Sequence, residues 1–214
     1  MHRRRRTALL LSAAIAAAPL LTACGSDAHP GAAAVVGGRR ITVSQLEDRV
    51  DEIRTAQRAA VPDDAQYAQV VAQTGTLARD TLHGMVLDRV LDGAAEDAGV
   101  TVSRKEVLQL RAQLEQQAGS AKGLELAWLQ QYGVPAQRLD DNLRVRVEAS
   151  KLATVLGTDT SQQAFWDNLS QASKKLGVDL NPRYGSWDVK TVQRVDAKTP
   201  WVREVTATET QQTT

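Results

Sequence analysis

The sequence predicts a mainly α protein of about six helices, with a small β-sheet joining its N- and C-terminal segments. Three observations carry this. Aromatic residues make up only 4% of the chain while hydrophobic residues reach 43%, and Ala, Leu, Gln, Glu and Arg are plentiful, a balance that favours helices. Apolar residues recur at helical spacing through most of residues 44–176. Short β-prone runs stand at either end of that region, around Val35-Val36 and Arg40-Ile41-Thr42, and again over 178–187.

The chain opens on Arg3 to Arg6, followed by residues 7–21, which are apolar or small except at Ser12 and Pro19. A basic start, an apolar run and small residues at a cleavage point make a secretory signal peptide. The alternative, a short transmembrane anchor, needs about 20 apolar residues, more than this run supplies. Residues 1–23 are therefore expected to be removed, leaving 191 of 214 residues, enough for one good core. Four arginines leave and no acids do, so the remainder holds 22 basic and 25 acidic residues, a net charge of −3. A nucleic-acid binder would carry a basic patch or stripe, so none is expected as a partner. Cys24 is the only cysteine, which excludes a disulfide framework and a thiolate metal site.

Residues 24–33 are rich in small residues, Pro and Gly and read as a flexible tether. The fold is expected over 34–202. Gly37-Gly38 signals a tight turn between two short strands. Ser44 and Glu47 form a capping-box pair for a first helix that carries Leu46, Val50 and Ile53 inward and ends before Pro62. Pro62-Asp63-Asp64 opens a long helical segment that Gly75 interrupts. From Leu77 the pattern is dense: Leu82, Val86, Val90 and Ala94 form one ridge, and Leu87, Leu91 and Ala95 a second. That stripe is wider than one partner helix covers, so this helix is the expected hub of the core. His83 lies on it as an ordinary, partly exposed histidine; His2 falls in the signal and His29 in the tether, so no second His or Cys of the folded segment joins it in a metal site.

Gly99 ends the hub helix, and Ser103 with Glu106 caps the next, which turns Val107, Leu110 and Leu114 inward and stops near Gly119. A short helix over 124–132 closes at Gly133. Pro135 suits the first turn of the following helix, whose inward residues are Leu139, Leu143, Val147, Leu152 and Val155. Acid pairs at Asp63-Asp64 and Asp140-Asp141 fit first-turn charges better than catalytic dyads. After the break at 157–160, Ser161 caps a last helix with Phe165, Leu169, Ala172 and Leu176 inward, and Asn168-Leu169-Ser170 is a chance sequon within it. Residues 181–188 look extended, and residues 203–214 lack periodicity and read as a disordered tail. The N-terminal hairpin is expected to pair with the extended stretch near 180–187, because two short strands alone are marginal.

Leu21-Thr22-Ala23-Cys24 resembles the lipobox of bacterial lipoproteins. The resemblance implies cleavage before Cys24, a thioether-linked diacylglycerol on it, and a location on the extracytoplasmic face of the cell membrane. Four further stretches resemble SurA-like and PrsA-like extracytoplasmic chaperones: Ala34-Val35-Val36-Gly37-Gly38-Arg39-Arg40-Ile41-Thr42, residues 95–103, Gly133-Val134-Pro135 and residues 178–185. Together they imply a SurA/trigger-factor-like chaperone domain. In that family a parvulin-type prolyl isomerase domain of about 100 residues lies where this chain has only residues 157–160. The histidine pair of a parvulin site is also missing. No nucleophile-elbow, phosphate-loop or zinc-protease motif occurs, so neither an enzyme nor a cofactor is expected. The expected function is that of a lipid-anchored, ATP-independent holdase for non-native exported polypeptides. The alternative is a structural lipoprotein with one dedicated envelope partner. Candidate peptide-binding residues are Trp128, Tyr132, Phe165 and Trp166. The last two are adjacent, point about 100° apart on a helix, and cannot both be central core.

Overall fold

The structure is a computed structural model that describes residues 31–196. The signal peptide over 1–23, Cys24 and the tail over 203–214 lie outside the described residues.

The chain begins with a hairpin, β1 (Ala32–Val36) and β2 (Arg39–Thr42), turned by Gly37 and Gly38 at φ 57° and 72°. Helices follow: α1 (Val43–Ala60), α2 (Asp64–Gln73), α3 (Leu77–Asp97), α4 (Arg104–Gln117), α5 (Ala121–Tyr132), α6 (Leu139–Val155) and α7 (Gln163–Leu176). A 3-10 turn, Ala136–Arg138, leads into α6. The chain then returns as β3 (Val178–Leu180), which pairs antiparallel with β1 in the register Ala34↔Leu180, Val35↔Asp179, Val36↔Val178. The sheet order is β2-β1-β3. The first strand is thus the central one, and the helices form an excursion whose two ends are clamped together by it. Every β1 residue is buried, with Ala33, Ala34 and Val36 packed into the main core.

The hub is α3. Leu82, Val86, Val90, Leu91 and Ala94 pack in one core with Val36 and Ile41 of the hairpin, Leu46 of α1, Leu152 of α6, Phe165 and Leu169 of α7, and Leu180 of β3. A second, smaller core joins Val107 of α4, Leu124 of α5, and Leu139 and Leu143 of α6. Helices α4 and α5 therefore form an arm that leans on the first half of α6. Capping follows the local code: Ser103 and Glu106 bond reciprocally at the start of α4, and Gly133 ends α5 at φ 64°.

Five expectations are corrected. The tether does not reach Ala33: Ala32 and Ala33 belong to β1, because Asn181 donates its side-chain amide to the Ala32 carbonyl (3.1 Å) and its backbone N–H to that of Ala33 (3.0 Å). The first helix is capped by Thr42 with Gln45 rather than Ser44 with Glu47. Both pairs have the capping spacing, but β2 delivers Thr42 with its hydroxyl 3.1 Å from the Gln45 N–H. Ser161 does not cap α7; the Asp159 carboxylate accepts from its N–H and hydroxyl in the turn before the helix, both at 2.8 Å. Val155 is 61% exposed, since α6 runs past the core there. Residues 181–188 are not one strand. Pro182–Tyr184 is a 3-10 turn, started by Asn181 accepting from the Arg183 N–H, and only Ser186–Asp188 is extended. That strand, β4, pairs with β5 (Gln193–Val195) in a separate hairpin.

Candidate functional site

Two concave features lie around the junction of the α4–α5 arm with α6. The first is an apolar groove of about 340 Å³ between α4, α5 and α6, lined by Leu110, Leu114, Trp128, Arg146, Val147, Ser150 and Lys151. Its inner wall continues the small core, against which Leu110, Leu114 and Trp128 pack while staying half-buried. The second is a cavity of about 470 Å³ between α1, α3, the 132–135 turn and the start of α6.

Trp128 and Tyr132, one turn apart on α5, stand between the two. Trp128 lines the groove and Tyr132 the cavity, and their rings meet edge to face at 5.3 Å. The Arg146 guanidinium lies over both, 5.2 Å from the Trp128 ring and 4.4 Å from Tyr132. The Trp128 indole N–H donates to Asn142 of the cavity wall at 3.1 Å, which anchors the ring. Tyr132 remains 44% exposed. These residues form a stiff, amphipathic platform with few rotatable bonds, suited to apolar side chains of varied shape.

The other predicted pair sits elsewhere. Phe165 is 3% exposed and belongs to the main core, so it is removed from the candidate surface. Trp166 is half-buried against that core and meets Phe165 edge to face at 5.8 Å. The four aromatics therefore do not converge on one site. His83 is half-buried beside Trp187, with ring centroids 5.6 Å apart. Burial, then the Arg194 charge, holds it below the ordinary histidine value. Among the described residues no group of three or more His, Cys, Asp or Glu could hold a metal ion, and no helix is long and apolar enough to cross a membrane.

The cavity's electrostatics were not foreseen from the sequence. Arg138 makes a two-pronged bond to Glu52 (2.9 and 2.8 Å), tying the start of α6 to α1. These bonds hold Glu52 below the ordinary carboxylate value. Arg144 donates to Asp92 (3.0 Å) and Glu148 (2.9 Å), tying α6 to α3. Burial, then the neighbouring Asp92, pushes Glu148 up. Burial, with Asp92 second, raises Asp88 to about 6. A signal was present: Thr81, Met85, Asp88 and Asp92 form a largely polar stripe at helical spacing beside the apolar ridges of α3.

The described residues form a helical hub with an arm that bears an apolar groove edged by an aromatic platform. The chain belongs to the SurA-like N-terminal domain family, whose model matches residues 2–153, a family of chaperone type. No curated protein and no solved structure matches the chain. The family match ends within α6, whereas α7 and β3 complete the core and the sheet.

Proposed function

We propose that this protein is a lipid-anchored, ATP-independent chaperone of the holdase type that binds non-native exported polypeptides at the extracytoplasmic face of the cell membrane and lacks prolyl isomerase activity. The observation that carries this reading is the open groove along Leu110, Leu114, Trp128 and Val147, edged by the Arg146–Tyr132 platform, on a chain of the SurA-like family. Such a surface takes apolar side chains out of water without demanding one geometry. Arg146, Ser150 and Lys151 along the same groove can bond the backbone of a bound segment. The link between α6 and α7, residues 156–162, is far shorter than an inserted isomerase domain. Leu21-Thr22-Ala23-Cys24 supports the anchor.

The test is a panel of unrelated unfolded peptides titrated against the purified protein, read by Trp fluorescence. Broad micromolar binding, weakened several-fold by Trp128→Ala, is expected. Silence across the panel, with one tight partner recovered by crosslinking in the native envelope, would replace the holdase reading with that of a dedicated structural lipoprotein. Fatty-acid labelling that persists in Cys24→Ser would remove the anchor.

A further inference from the structure

The larger cavity holds one carboxyl, Asp88, that makes no hydrogen bond or ion pair with any described residue, although the Arg49 and Arg144 charges act on it. Its charged lining comprises Arg49 from α1; Asp80, Asp88, Arg89 and Asp92 from α3; Arg138 from the 3-10 turn; and Asp141 and Arg144 from α6. Each arginine is already engaged. Arg138 is held by Glu52 and Asp141, and Arg144 by Asp92 and Glu148. Arg89 donates to the carbonyls of Arg39 (2.8 Å) and Arg40 (3.0 Å), and Arg49 lies 3.6 Å from Glu52. Asp92 and Asp141 are taken up by the same pairs, and Asp80 accepts from the Thr76 hydroxyl. Asp88 alone of this lining has no hydrogen bond or ion pair with any described residue. Two turns earlier on the same face of α3, the Thr81 hydroxyl is buried without a partner. An unpaired carboxyl in a recess is costly to ionise, and its rise to about 6 reflects that cost.

We propose that the cavity accepts an arginine or lysine side chain of a bound polypeptide, with the Asp88 carboxylate as the acceptor for its positive head. The inference rests on the holdase reading and deepens it by naming the client chemistry: apolar segments carrying a basic residue. The walls suit such a side chain. Ile53, Met85, Val134 and Pro135 border the cavity and can cover the methylene stem while the charged head reaches Asp88. Tyr132 borders the cavity and touches Trp128 at the groove, so one extended segment can lay apolar residues along the groove and turn a basic residue inward. A cation at Asp88 would restore the pairing that burial denies it.

The experiment uses the full chain and three fluorescein-labelled peptides of one Leu- and Phe-rich sequence, differing only in a central Arg, Gln or Glu. Anisotropy titrations at pH 7.5 are expected to show the Arg peptide binding roughly tenfold tighter than the Gln peptide, with the Glu peptide weakest. Asp88→Asn should abolish the Arg advantage, so that the Arg and Gln peptides bind with equal affinity. Lowering the pH of the unmodified protein from 7.5 to 5 should shrink the same advantage, a readout that needs no variant. Equal binding of the Arg and Gln peptides, tighter binding of the Glu peptide, or an Arg preference that survives in Asp88→Asn overturns this inference and leaves the holdase reading standing. Failure of all three peptides to bind overturns both.

Discussion

Truncating the chain after Leu156 should unfold what remains, although the cut falls beyond the last family-matched residue. The cut removes α7 and β3. With them go Phe165 and Leu169, which are 3% and 2% exposed in the main core, and Leu180, which is 6% exposed on the strand beside the central one. Truncating a buried Phe costs about 3–5 kcal/mol and a buried Leu about 2–5 kcal/mol. Even the low ends total about 7 kcal/mol for these three side chains. The cut also strips β1 of its β3 ladder and of the Asn181 bonds that hold Ala32 and Ala33. It further releases Gly37 from the Leu176 carbonyl, to which its N–H donates at 3.0 Å. A domain of this size has about 5–15 kcal/mol of net stability, so the loss is of the same order as the whole. Urea titration of a fragment 25–156, followed by far-UV circular dichroism and limited proteolysis, should show no cooperative transition and rapid cleavage within β1, while residues 25–196 unfold cooperatively. A fragment ending at Leu156 that melts cooperatively and protects β1 from protease would show that the clamp is not what holds the hub together.

Other changes should act locally. Gly185→Ala should destabilise by about 1–3 kcal/mol from backbone strain alone, because Gly185 has φ 114° and an added Cβ would sit 2.3 Å from the Val195 carbonyl oxygen; a thermal melt unchanged from the parent would contradict this. Ser103→Ala should cost about 1 kcal/mol by opening the α4 capping box, read as a lower urea midpoint with unchanged m. Asp88 has a folded pKa of about 6 against an ordinary value of 3.8. The folded state therefore holds the extra proton between those values, and this group's contribution to stability falls as pH rises from about 4 to 7. The loss is on the order of 2–3 kcal/mol. Urea melts of parent and Asp88→Asn should diverge across that range, the variant gaining relative stability toward pH 7, and parallel curves would remove the unpaired carboxyl.

The sequence by itself determined the elements whose cause is local. The two ridges of α3 announce a hub because helical periodicity repeats within a few residues. Ser103 with Glu106, Gly99 and Gly133 mark helix ends because capping is a matter of three- and four-residue spacing. Gly37-Gly38 announces the hairpin because few other residues tolerate its two positive φ values. The family, too, was legible in short motifs at element junctions. What only the tertiary structure decided depends on residues far apart in the chain. Thr42 outcompetes Ser44 as a cap because β2 must run through Arg40 and Ile41 to reach β1. The strand starts at Ala32 because Asn181 satisfies carbonyls 149 and 148 residues earlier in the chain. Phe165 is core and Trp166 is rim because α7 meets α3 along one line, which no spacing between adjacent residues can fix. Asp88 stands without a hydrogen bond or ion pair for a similar reason: Arg89, Arg138 and Arg144 are claimed by acceptors on other elements once α1, α3 and α6 have come together, and Arg49 by Glu52 on its own helix.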